Sequence, residues 1–180
     1  MKQKLYHASL ALHANGTVLL GKARSILDAN AWIEDEFERG RVGRSVSRIQ
    51  AMFATGDPTD SIKYLKVQQN FGNEPIYLYR VEMPSPHRHP MALVDVVKRN
   101  QAEPDRLKDI VEKYWLPSQD WQFWEYLDCS MTIIETLSEP DFTMVAGAGQ
   151  RYLADHVLAG QLWPPKPKLD NHPPKTEVGH

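Results

Sequence analysis

Cys129 is the only cysteine in the 180 residues, which excludes an internal disulfide and any zinc site built from several thiolates, and fits a reducing compartment. Long apolar runs are also missing. Nothing approaches the length that crosses a bilayer, and Met1-Lys2-Gln3-Lys4-Leu5-Tyr6-His7 has no apolar core of a secretory signal, so a soluble cytoplasmic chain with no membrane partner is expected. Neither sign of charge dominates: 21 basic and 23 acidic residues leave a net charge of -2, so any nucleic-acid contact has to be local. Neither Gly-x-Gly-x-x-Gly nor Gly-Lys-Ser/Thr occurs, and nucleotide binding through a Rossmann or P-loop device has no support. No internal repeat is visible.

What is present is enough apolar material for one core in one domain, read here as residues 1–162. Lys4 to Leu10 and Thr17 to Gly21 read as short strands. Ala29, Trp32, Ile33 and Phe37 make one stripe of a helix from Asp28 to Gly40, with Glu34, Asp35 and Glu38 on its polar side. A loop carrying Arg39, Arg41, Arg44 and Arg48 leads into a strand over 49–55. Asp57-Pro58-Thr59-Asp60 is a helix start: a capping carboxylate, a proline whose missing N–H does no harm in the first turn, and an acid near the positive helix end. That helix is expected to reach about Asn70.

Tyr77, Tyr79, Val81 and Met83 alternate with polar neighbours as in a half-buried strand, which the proline-rich 84–90 ends. Residues 91–97 fit neither a helical nor an extended period cleanly. Leu107, Ile110, Val111, Tyr114 and Trp115 form a helical stripe closed by Pro117, and 121–137 holds one or two strands. A last helix is expected over 147–160. The segment 163–180, rich in proline and lysine, is expected to be a flexible tail. The tryptophans at 115, 121 and 124 are expected in the core and in a cleft wall rather than as a base-stacking platform.

Three stretches carry a resemblance. Leu5-Tyr6-His7-Ala8-Ser9 is similar to the first-strand motif of the ADP-ribosyltransferase superfamily, in which leucine or isoleucine, tyrosine, histidine, glycine and serine or threonine follow one another. Phe53-Ala54 followed by Ser61-Ile62-Lys63-Tyr64 resembles the second motif of the diphtheria-toxin and poly(ADP-ribose) polymerase branch, where a strand ends in Phe-Ala and the next helix carries Ser-x-x-Tyr. Glu125-Tyr126 resembles the third, a glutamate opening a late strand. Order and spacing agree over residues 5–137. Ala8 replaces the usual glycine, Met52 stands where many members have a second tyrosine, and the Phe53 to Ser61 interval is one residue longer. The chain is also similar to small bacterial domains with a Tyr-Trp-x-Pro then Trp-x-x-Trp-Glu-Tyr pattern, here 114–117 and 121–126.

The resemblance implies an α+β fold with a split β-sheet core and flanking helices. It also implies NAD as substrate and transfer of ADP-ribose to a macromolecular acceptor, protein or nucleic acid. Cleaving the nicotinamide–ribose bond builds positive charge on the sugar, so a carboxylate is needed beside it. Glu125 would be that catalytic group, accepting from the ribose 2'-hydroxyl; the competing reading is a solvated glutamate at a strand edge. Tyr64 would stack on nicotinamide and Ser61, one helical turn away, would bond the carboxamide; otherwise Tyr64 is a core residue. His7 would bond the adenosine ribose, the Ala8 backbone the carboxamide, and Ser9 would assist, with Phe53 belonging to the same pocket; otherwise His7 is a satisfied core histidine.

Arg48, and after it Arg44, would meet the pyrophosphate through guanidinium geometry, against the competing view of structural pairing with an acid. His87-Arg88-His89 has no cysteine or carboxylate partner beside it and reads as a solvated turn rather than a metal site. Phe123 two places before Glu125 leaves no Glu-x-Glu or Gln-x-Glu pattern, so the acceptor is open. Two further readings remain: a non-catalytic module on the same scaffold that binds a protein or nucleotide, and an RNA-handling enzyme using Arg39, Arg41, Arg44 and Arg48 as a basic groove.

Overall fold

The computed structural model describes residues 3–23, 28–41, 43, 46–68, 75–137 and 145–164. Strands β1 (Leu5–Ser9) and β2 (Val18–Leu20) precede helix α1 (Asp28–Gly40). A 3-10 turn at Arg48–Gln50 leads into β3 (Met52–Thr55), followed by α2 (Pro58–Gln68) and β4 (Tyr77–Glu82). Then come β5 (His87–Pro90), α3 (Ala92–Arg99), α4 (Pro104–Trp115), β6 (Trp124–Asp128), β7 (Ser130–Leu137) and α5 (Val145–Leu162). The strands form one seven-stranded sheet in the order β2-β7-β4-β1-β3-β6-β5, with every pairing antiparallel. The architecture is α+β.

Local sequence explains most elements. At the start of α2, Asp57 Oδ1 accepts the Thr59 N–H at 2.8 Å, and Pro58 sits where no backbone donor is needed. The stripe of α4 buries Leu107, Ile110, Val111, Tyr114 and Trp115 in a cluster with Ile33 and Phe37 of α1, Val96 and Val97 of α3, and Ala159 of α5. Gly40 permits α1 and α4 to approach closely, since a Cβ there would lie 2.2 Å from Val111 Cγ1. Ile62 and Leu65 of α2 pack on Ala8 and Leu78, while Leu5, Ala54, Tyr79, Val81, Tyr126, Met131 and Ile133 form the core of the opposite sheet face.

Several expectations change. The segment 84–90 is not simply a turn: His87–Pro90 is an edge strand paired with β6, and His89 is buried. An edge strand tolerates the proline at its end because one side needs no donor. Residues 92–99 are helical, with Leu93, Val96 and Val97 buried. Glu34, expected on the polar side of α1, is 9% exposed. Trp163, placed in the tail from sequence, is buried in the helical core and donates from Nε1 to Asp109 at 2.8 Å, so the ordered chain extends past 162. The rest of the expected tail, from 165, lies outside the described residues. No helix among the described residues is long and apolar enough to cross a membrane.

Candidate functional site

β1 and β3 are sheet neighbours, but their pairing is confined to Tyr6 opposite Thr55. Beyond that point the strands part, and a cavity of about 460 Å³ opens between them. Its wall includes His7, Ala8 and Ser9 of β1, Phe53 and Thr55 of β3, and Ser61 of α2. The sequence-expected residues His7, Ala8, Ser9, Phe53 and Ser61 therefore share one hollow. Tyr64 lies in α2, but its side chain lies outside the described residues, as does Arg44.

The polar groups of the hollow are held by short internal bonds. Ser61 Oγ donates to the Tyr6 carbonyl at 2.7 Å and lies 2.7 Å from Thr55 Oγ1, so the two hydroxyls form a relay between α2, β3 and β1. Arg151 of α5 donates to Asp60 at 2.6 Å and fixes α2 from behind. His7 Nδ1 lies 2.8 Å from the Phe53 carbonyl, which can only accept, so Nδ1 carries the proton and Nε2 is left as an acceptor. Burial pushes the imidazole below its ordinary range and keeps it neutral. The segment after β1 is pinned by Tyr79, whose hydroxyl donates to the Ala11 carbonyl at 3.0 Å and accepts from His13 N–H at 2.9 Å.

Glu125 is on β6, opposite Thr55 in the register and next to His89 of β5. Because side chains alternate along a strand, Tyr6, Thr55, Glu125 and His89 share one sheet face, and His7 is directed to the other. The expected solvated or ligand-facing carboxylate is instead 0% exposed and is not part of the cavity wall. Its Oε1 accepts from the Tyr114 hydroxyl at 2.6 Å and from Arg48 Nη1. Arg48 Nη1 also reaches the Tyr114 oxygen, and Nε donates to Glu34 Oε2 at 3.0 Å. Burial pushes the Tyr114 phenol well above its ordinary range, so it remains a donor. Among the described residues, the buried side-chain atoms without a hydrogen-bond partner are Glu125 Oε2 and Trp121 Nε1.

Arg48 thus departs from the pyrophosphate role expected for it. Its side chain is 1% exposed, shared between two carboxylates, and its guanidinium carbon lies 5.3 Å from the centre of the Phe53 ring. Glu38 fixes its backbone, accepting the Arg48 N–H at 3.0 Å. The competing expectation, structural pairing with an acid, describes its surroundings: Glu34, Glu125 and the Tyr114 hydroxyl together satisfy a guanidinium that burial takes out of water.

Sequence reasoning missed Glu34, His89 and Tyr114 as members of this network. His89 stacks on the Tyr114 ring at 4.8 Å and donates from Nδ1 to the Tyr114 carbonyl at 3.0 Å. The available signal was the Tyr114-Trp115-Leu116-Pro117 pattern standing just before Trp121 to Tyr126. Asp155 adds the last support: it accepts the backbone N–H groups of Gln122 and Phe123, each at 2.8 Å, and so fixes the entry into β6. No family model matches the chain, and no curated protein matches it.

Proposed function

We propose that the chain is an ADP-ribosyltransferase-like domain that cleaves the nicotinamide–ribose bond of NAD and transfers ADP-ribose to a macromolecular acceptor, protein or nucleic acid. One observation carries the reading: Glu125 Oε2 is a buried carboxylate oxygen without a donor, on the strand next to the one that walls the cavity. Leaving such an acceptor unmet costs on the order of 1–3 kcal/mol, and a sugar hydroxyl supplies the missing donor. Thr55, which lines the cavity and stands opposite Glu125, marks where hollow and carboxylate approach each other.

In this reading Glu125 accepts from the ribose 2'-hydroxyl and opposes the charge that develops as nicotinamide leaves. Ser61 Oγ, its proton committed to Tyr6, accepts from the carboxamide. His7 Nε2 accepts from an adenosine ribose hydroxyl, and the Ala8 backbone lies along the parted edge of β1. Arg48 and Tyr114 hold Glu125 Oε1 and leave Oε2 without a donor.

A second reading, a non-catalytic module that binds a nucleotide, is favoured by the complete burial of Glu125 behind Arg48 and Tyr114. Incubation with NAD labelled in the adenosine moiety separates the two. The transferase reading expects nicotinamide release and labelling of a lysate fraction by the wild type, both lost in Glu125→Gln while NAD still binds. Equal labelling by wild type and Glu125→Gln would remove Glu125 from the chemistry, and NAD binding without release would select the module.

A further inference from the structure

The cavity needs a cation if it is to hold a phosphorylated ligand, and Arg48 does not supply it. Among the described wall residues one side chain carries a full charge: Lys22, just after β2. His7 is held neutral by burial, and no acidic residue is among the described wall residues to neutralise a lysine. The Lys22 side chain is exposed, and no ion pair among the described residues takes it up.

Its position is built, not incidental. Gly21 donates its N–H to the Cys129 carbonyl at 2.8 Å, and a Cβ at Gly21 would lie 1.8 Å from the Gln50 carbonyl oxygen. The chain leaving β2 is therefore clamped between the turn before β3 and the turn before β7, which sets Lys22 beside the Ala51 end of the cavity. The hydroxyls of Thr55 and Ser61 stand at the other end of β3. Ala51 and Thr55 are separated by strand steps totalling roughly 13 Å at about 3.3 Å each. The rest of the wall is mostly apolar, with Leu10, Met52, Phe53 and Leu65, and carries His7 and Ser9 from β1. Neutral hydrogen-bonding groups, a mostly apolar wall and a cation at the Ala51 end match a ligand with an uncharged ring and a phosphate at a distance.

We propose that Lys22 is the anion-binding residue of this cavity and makes it select ligands that carry a phosphate or pyrophosphate ester. The proposal rests on the reading of the cavity as a nucleotide site and replaces Arg48 in the role the sequence suggested for it. An ammonium near water contributes as a point charge, so its effect on affinity depends on salt.

Calorimetric titration of the full chain with ADP-ribose, and separately with nicotinamide, tests it in wild type, Lys22→Gln and Lys22→Arg. The expected result is ADP-ribose affinity lowered about tenfold or more in Lys22→Gln, with a weaker salt dependence, and largely kept in Lys22→Arg. Nicotinamide, which has no phosphate, is expected to bind all three alike. Equal ADP-ribose affinity in wild type and Lys22→Gln would overturn the role of Lys22 and leave the nucleotide cavity standing. Absence of binding by either probe to the wild type would overturn the nucleotide reading and the proposal with it.

Discussion

Arg48 and Glu125 form an ion pair in the interior, with side chains 1% and 0% exposed. Taking two charges out of water is costly, and the pair persists because further groups bind it: Glu34 on the guanidinium, and Tyr114 between guanidinium and carboxylate. Removing one partner strands the other. Arg48→Met is therefore expected to destabilise the fold by about 3–5 kcal/mol, whereas Arg48→Met combined with Glu125→Leu loses less than the sum of the single changes. Urea unfolding of the two single variants and the double variant measures this, and strict additivity would show that the pair is not coupled.

The hydroxyl relay at the cavity makes a different demand. Ser61→Ala removes the donor to the Tyr6 carbonyl and the partner of Thr55 Oγ1, both at 2.7 Å, at a site where Ser61 is 4% exposed. The expected cost is about 1–3 kcal/mol, because the Tyr6 carbonyl is left without this donor. In the transferase reading nicotinamide affinity falls as well. Thermal unfolding reports the first effect and nicotinamide titration the second; an unchanged melting temperature would mean that the relay does not tie α2 to β1.

These two networks show where sequence was informative and where it was not. The helices at 28–40 and 104–115 and the alternation at 77–83 are written in local periodicity, because one face of each must be buried. The cap at Asp57 was legible for the same local reason. The convergence of His7, Phe53 and Ser61 followed from the resemblance and from no periodic signal. What stayed hidden is non-local. Nothing near Arg48 distinguishes it from Arg39 or Arg41, which pair with Glu36 and Glu38 one helical turn away. Only the folding of the turn before β3 brings the Arg48 side chain to Glu125, and only the packing of α4 beside β5 brings Tyr114 to both and His89 to Tyr114.

Gly21 links stability to the cavity. Its missing Cβ leaves room for the Gln50 carbonyl, which is backbone and cannot rotate away as a side chain would. Gly21→Ala is expected to cost about 1–3 kcal/mol through forced backbone movement. It is also expected to lower ADP-ribose affinity, since the shift carries Lys22 with it. Urea unfolding and ADP-ribose titration check the two parts, and a stable variant with full affinity would show that the clamp at Gly21 is not needed.

Asp60 gives the fold a pH dependence of definite sign. Burial pushes its carboxyl up to about 6, and the hydrogen bond and charge of Arg151 only partly offset that. In the unfolded chain the same group titrates at about 3.9. Between these values the folded state holds a proton that the unfolded state has released, so stability from this group increases as pH falls through about 6 and declines as pH rises through the same window. Asp155, also raised, acts in the same direction, and Asp95, lowered, acts in the opposite one. A comparison with Asp60→Asn cancels both. Wild type is expected to gain stability relative to Asp60→Asn on going from pH 7 to about pH 5. Urea unfolding of both proteins at the two pH values is the measurement. A difference between them that does not change with pH would mean that Asp60 remains ionised against Arg151 throughout, and that the ion pair outweighs burial at the junction of α2 and α5.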